Sequence, residues 1–215
     1  MCSSATEIFI LFDGFSEIKT LENEEVMLAN CTCTLIKSRG INIIVDSLTP
    51  WDSERLLAAL QKHQIAPKDI NFVVSTHGHS DHVGNNNLFL DAKRHIVGNN
   101  ISFKETYFLH NWTNPYVINE NVEIIRSPGH TPDCVSVIVR GSNLGERVGI
   151  TGDLFEKEGD ILNDSLWKDA GSYNEDVQKE NRLKIASMVD VIIPGHGPAF
   201  KVTEEMRKIL QEQRN

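Results

Sequence analysis

The stretch Thr76-His77-Gly78-His79-Ser80-Asp81-His82 sets three imidazoles and a carboxylate within six residues, directly after the apolar run Phe72-Val73-Val74. Imidazole and carboxylate are ligands suited to zinc, iron or manganese, and four of them held this close have no structural use without a cation. A strand that hands such a motif to a loop gives a metal site a rigid base.

Working outward, three more residues share that context. They are His130 in Ser127-Pro128-Gly129-His130-Thr131-Pro132, Asp153 in Thr151-Gly152-Asp153, and His196 in Pro194-Gly195-His196-Gly197-Pro198. Each follows a β-like apolar run, at 122–125, 148–150 and 191–193, so each is expected where a strand ends and a Gly- or Pro-marked loop begins. His63, His95 and His110 lack such surroundings and read as packing or surface histidines.

The ordered set His-x-His-x-Asp-His, His, Asp, His, spread across nearly the whole chain, resembles the metallo-β-lactamase superfamily. The resemblance implies an α+β fold, a four-layer αβ/βα sandwich with the site at the edge where two sheets meet. It implies two divalent ions roughly 3.5–4 Å apart, with His77, His79 and His130 on one, Asp81, His82 and His196 on the other, and Asp153 bridging. Zinc is the expected metal, with iron or manganese as alternatives. Asp81, His79 and Asp153 are the expected catalytic residues, acting with a shared water made nucleophilic by the ion pair.

Asp153 stands where several antibiotic-destroying members resemble each other in carrying cysteine, and His79 where diiron redox relatives carry glutamate. A dinuclear hydrolase is thereby favoured over β-lactam turnover and over oxygen reduction, with a mononuclear-iron sulfur dioxygenase left as an alternative. Asp46, closing Ile43-Ile44-Val45, matches the family's aspartate that hydrogen-bonds a ligand imidazole. The family usually follows it with Thr or Ser and then Gly, whereas Ser47 here precedes Leu48.

Asp81-His82-Val83-Gly84-Asn85 with Leu88-Phe89, and the segments 167–172 and 191–200, resemble a smaller branch of that family. That resemblance implies an endoribonuclease acting on single-stranded RNA, including the 3′ ends of histone pre-mRNA, and allows a homodimer. A glyoxalase II-like thioesterase shares the ligands, but commonly adds a C-terminal helical region, and only 15 residues follow Phe200 here.

With 215 residues and 40% apolar content, one domain over 1–215 is expected. The net charge of −9 opposes broad phosphate-backbone binding, which depends on Lys and Arg releasing counterions. Two divalent ions would add about four positive charges where a phosphate must sit. The N-terminus lacks a basic region and its apolar run, 8–12, is shorter than a signal core, so no secretion and no membrane are expected. Cys2, Cys31, Cys33 and Cys134 read as free thiols in a reducing compartment, cytoplasm or nucleus, with Cys31 and Cys33 on one sheet face.

Strand-like runs lie at 8–12, 26–29, 33–37 and 41–45, and a helix at 51–62 precedes the motif-bearing strand at 70–74. A second helix is expected from Val83 or Asn85. A second sheet is expected from 96–97, 122–125, 135–139, 148–150 and 191–193, with covering helices at 176–188 and 203–213. Trp51, Trp112, Tyr116, Trp167 and Tyr173 are candidate stacking faces, and Lys168 and the loop 140–147 are candidate phosphate contacts.

Overall fold

The computed structural model describes residues 6–214. In chain order, β1 (Glu7–Phe12) leads to the hairpin of β2 (Phe15–Leu21) and β3 (Glu24–Asn30), then to β4 (Cys33–Ser38), β5 (Ile41–Val45) and α1 (Ser53–Lys62). Next come β6 (Phe72–Ser75), the single-turn α2 (Ser80–Val83), β7 (Arg94–Val97), β8 (Asn100–Phe103) and β9 (Thr106–Tyr107). The second half holds β10 (Tyr116–Asn119), β11 (Val122–Arg126), β12 (Val135–Ser142), β13 (Gly145–Gly152), α3 (Ser165–Asp169), α4 (Glu175–Met188), β14 (Val191–Pro194), β15 (Phe200–Lys201) and α5 (Glu204–Arg214).

Two mixed sheets result, one in the order β1-β4-β5-β6-β7-β8-β9 and the other β10-β11-β12-β13-β14-β15. Period-2 alternation explains how they stack. Ile43, Val45 and Val74 of the first sheet and Ile124, Val137, Val139, Ile150 and Ile193 of the second share one buried layer. Their neighbours point the other way: Ile44 and Val73 pack on Leu56 and Leu60 of α1. Ile125, Ile138 and Ile192 pack on Ile185 and Ala186 of α4 and Leu210 of α5. Each fully buried Ile or Val stabilises by roughly 1.5–3 kcal/mol, so these three layers hold the four-layer sandwich together.

Local signals set the element ends. Asn174 accepts from the Val177 N–H at the start of α4, with Glu175 and Asp176 in its positive first turn. Arg39 and Gly40 turn β4 into β5 with φ of 52° and 76°, the left-handed pair a tight hairpin needs. The buried, free thiols of Cys31 and Cys33 lie in the α1-side layer together, while Cys2 lies outside the described residues.

Three expectations need correction. The run 96–97 belongs to β7, which pairs in parallel with β6 in the first sheet rather than the second; a short apolar run signals a strand without saying which sheet takes it. The helix expected from Val83 or Asn85 instead starts at Ser80 and ends at Val83. The hairpin strand β2 was not expected, because Phe15, Ile18 and Leu21 are solvent-exposed and show no half-buried alternation. No helix among the described residues is long and apolar enough to cross a membrane.

Candidate metal centre

Strands of both sheets end on one edge. Thr76-His77 follows β6, His130 lies in the loop after β11, Asp153 directly follows β13, and Gly195-His196 directly follows β14. His77 Nε2 lies 2.9 Å from His79 Nδ1, which lies 3.1 Å from His130 Nε2. Asp153 Oδ2 is 3.4 Å from the Nε2 atoms of His77 and His130. Four donors around a tetrahedral ion at zinc–nitrogen distances would sit about 3.3 Å apart, so this spacing fits a cation.

A second group adjoins the first. His82 Nε2 and His196 Nε2 each stand 3.8 Å from Asp81 Oδ2, and 3.3 Å from the Oδ1 and Oδ2 of Asp153 respectively. Within each group, His77, His79, His130 and Asp153 or Asp81, His82 and His196, the donor atoms lie within 4.8 Å of one another. His82 Nε2 and Asp153 Oδ1 are buried without a hydrogen-bond partner, which is costly unless a ligand completes them.

Backbone carbonyls and carboxylates turn the imidazoles inward. His130 Nδ1–H donates to Gly171 O at 2.7 Å, and His196 Nδ1–H faces the carbonyls of Phe15 and Asn30 at 3.1 and 3.0 Å. His82 Nδ1 faces Asp46 Oδ2 at 3.0 Å. Such partners fix the tautomer that leaves Nε2 free to ligate. Asp46 also accepts from the Thr76 N–H at 2.7 Å, so one carboxylate anchors both ends of the motif. Asp46 and Leu48 take left-handed φ of 56° and 61°. Leu48, where the family carries glycine, is buried, and that burial offsets a strain of about 1–2 kcal/mol.

Electrostatics divide the imidazoles. Burial, reinforced by His82, holds His77 well below the usual histidine range, and burial lowers His130. Burial also opposes charge on His82 and His196, but Asp153 outweighs it with help from Asp46 at His82 and Glu156 at His196. His82 is raised, and His196 is pushed up to about 9. Burial would raise Asp153, yet the surrounding His82, His77 and His196 hold its carboxyl well below the carboxylate range.

The loops that carry Asp153 and His130 are tied to α4. Gln178 Nε2 donates to Asp153 O, and Asn181 Nδ2 to Pro128 O. The fully buried Arg182 donates to Leu154 O and pairs with the buried Asp160 at 2.6 Å. Gly195 is required sterically, since a Cβ there would lie 1.9 Å from Asp153 Oδ1.

All seven sequence-derived ligand candidates meet here, and Asp46 meets them. His63 packs on Phe9, His95 donates toward Phe89 O, and His110 packs on Trp112 and Tyr116, all outside the cluster. Trp167 is fully buried and stacks on Arg182, so it offers no stacking face to a ligand. Trp51 and Tyr173 are exposed. Lys168 is engaged by Asp164 and Glu175, Arg140 by Glu123 and Arg147 by Asp190, which leaves these candidate phosphate contacts paired. Sequence reasoning missed Glu156, buried three residues beyond Asp153; its signal is a carboxylate directly after the apolar pair Leu154-Phe155.

Comparison with known proteins agrees with this geometry. The family described as the Metallo-beta-lactamase superfamily matches residues 27–196. The chain is 38% identical to Metallo-beta-lactamase domain-containing protein 1 of Xenopus laevis, over 99% of this chain and 88% of that one. It is 38% identical to the Mus musculus protein of that name over 79% of this chain, spanning 65% of the mouse protein's length. A probable metal-dependent hydrolase from Staphylococcus aureus shares the fold with a TM-score of 0.65 at 14% identity, over 96% of this chain and 95% of that one. The chain belongs to the metallo-beta-lactamase superfamily, as a metallo-hydrolase whose clustered His and Asp side chains can bind metal.

Proposed function

We propose that this chain is a dinuclear metal-dependent endoribonuclease that cleaves single-stranded RNA. The observation that carries the dinuclear part is the shared carboxylate: Asp153 contributes to the group of His77, His79 and His130 and lies within 3.3 Å of both His82 and His196. Two divalent ions held there, zinc first and iron or manganese otherwise, would supply an activated water as nucleophile and offset charge on the phosphoryl oxygens.

The side chains do the rest. His79, His77 and His130 would offer ring nitrogens to the first ion, and burial favours the neutral, ligating form of His77 and His130. Asp81, on the first turn of α2 and half-buried beside the buried His82 and His196, is positioned to orient the attacking water and accept its proton. Exposed Tyr173 donates its N–H to the His130 carbonyl, and exposed Trp51 lies in the Pro50–Asp52 turn that packs on α2, so both offer stacking faces to unpaired bases. RNA as substrate rests on the resemblance to the RNA-cleaving branch of the family, and function in cytoplasm or nucleus, as monomer or homodimer, is part of the same proposal.

A second reading, a thioesterase of the glyoxalase II kind, draws on the net charge of −9 and on a crevice of about 230 Å³ whose lining includes Ile18, Met27 and Leu166. End-labelled single-stranded RNA, matched DNA and S-lactoylglutathione are offered to metal-quantified protein and to its chelator-stripped form. RNA cleavage by the loaded form alone supports the proposal. Intact RNA with thioester turnover overturns it in favour of the second reading.

A further inference from the structure

We infer that Glu156 is an additional ligand of the metal centre, a carboxylate donor to the ion held by Asp81, His82 and His196. The inference rests on the metal-binding reading above and extends it. Glu156 is only 2% exposed, and its Oε2 stands 3.9 Å from His196 Nε2, nearly the 3.8 Å at which Asp81 Oδ2 faces the same nitrogen. Asp153, Glu156 and His196 bring donor atoms within 4.8 Å of one another.

A structural filler does not explain this side chain. Glu156 Oε1 is buried without a hydrogen-bond partner, and among the described residues no lysine or arginine pairs with the carboxylate. The nearby Arg182 is committed to Asp160 and to Leu154 O. A buried carboxylate in that position is expensive, whereas Leu or Met would fill the same space freely.

The backbone that presents it is rigid. Glu156 N–H donates to Asp160 Oδ2 at 2.8 Å, and Glu156 O accepts the His196 N–H at 2.8 Å. Asp160 is fixed by Arg182, whose guanidinium lies 4.2 Å from the Phe155 ring centroid and 5.2 Å from that of Trp167. Glu156 and His196 therefore move together, which is what two ligands of one ion require.

Metal choice follows from the donors. One position has the imidazoles of His77, His79 and His130 plus Asp153, a set suited to zinc. The other has two imidazoles and the carboxylates of Asp81, Asp153 and Glu156, an oxygen-rich set that favours the harder manganese or iron. With Glu156 as a ligand, the second position would take Mn²⁺ more readily than it would without it.

Metal-free wild type, Glu156→Gln and Glu156→Leu are titrated calorimetrically with Zn²⁺ and with Mn²⁺. Bound metal is then counted by mass spectrometry, and the Mn²⁺ spectrum recorded by electron paramagnetic resonance. The expected result is two ions on the wild type, with Mn²⁺ affinity for one position at least about tenfold weaker in both variants and the first Zn²⁺ unaffected. Melting of the metal-free forms shows that both variants fold. Mn²⁺ affinity and spectrum unchanged in the folded variants would overturn the role of Glu156 alone. Fewer than two ions on the wild type would overturn the dinuclear reading and this inference with it.

Discussion

The two halves of the centre are assembled in opposite ways. His77, His79, Asp81 and His82 arrive on one short segment that runs from the end of β6 into α2, fixed mainly by Asp46 at the end of β5. His130, Asp153 and His196 come from three loops far apart in sequence, and α4 ties two of them through Gln178, Asn181 and Arg182. The contiguous half needs little beyond local backbone. The dispersed half is only as good as the packing of α4, so damage to it should register as lost stability as well as lost metal.

Asp153, from the dispersed half, reaches ligands of both halves, and removing its shared charge should have the largest effect. Asp153→Asn is expected to lower hydrolysis by about 10³–10⁴-fold, roughly 4–5.5 kcal/mol of transition-state stabilisation, and to leave at most one ion bound. Two retained ions with more than a tenth of the wild-type rate would mean the halves work without Asp153 as their joint. Metal content and rate are measured on the same preparation.

The clamp on the dispersed half comes next. Arg182 and Asp160 are both fully buried and paired at 2.6 Å, so Arg182→Met strands a buried carboxylate and should cost about 3–5 kcal/mol in urea unfolding of the metal-free protein. Arg182→Met combined with Asp160→Asn should recover much of that loss, because the isolated charge is gone. A single variant within about 1 kcal/mol of wild type would show that the pair is incidental and that α4 holds its loops by apolar contact alone.

The same contrast explains what the sequence disclosed. The contiguous motif is visible by eye because its ligands are neighbours in the chain. The dispersed ligands are visible because each follows an apolar strand and is marked by Gly or Pro, and Gly195 in particular is demanded by the Oδ1 of Asp153. Glu156, Asp160 and Arg182 carry no such mark. Their roles arise from burial and from contacts 22 to 40 residues away in the chain, as between Arg182 and Asp160 or Glu156 and His196. The assignment of 96–97 to the wrong sheet has the same origin, since period-2 alternation defines two faces of a strand but not its partners. Trp167 reads as a ligand-stacking aromatic in sequence and proves to be a wall for Arg182.

The smallest expected effect tests whether the contiguous half is truly local. Asp46 Oδ1 accepts the Thr76 N–H at 2.7 Å, and Oδ2 faces His82 Nδ1 at 3.0 Å and Thr76 Oγ1 at 3.0 Å. An asparagine can accept at only one of those ends. If its oxygen keeps the Thr76 N–H, its NH₂ group meets His82 Nδ1, which must give up its proton, and the proton moves to Nε2, the nitrogen that should ligate. Asp46→Asn is therefore expected to weaken the ion held by His82 and His196 by about 10–100-fold, with the ion of His77, His79 and His130 nearly unchanged. Nitrogen NMR of the His82 ring should report the switched tautomer in the metal-free variant. Equal weakening of both ions would show that Asp46 shapes the whole motif through Thr76 rather than His82 alone, and the contiguous half would then depend on β5 as strictly as the dispersed half depends on α4.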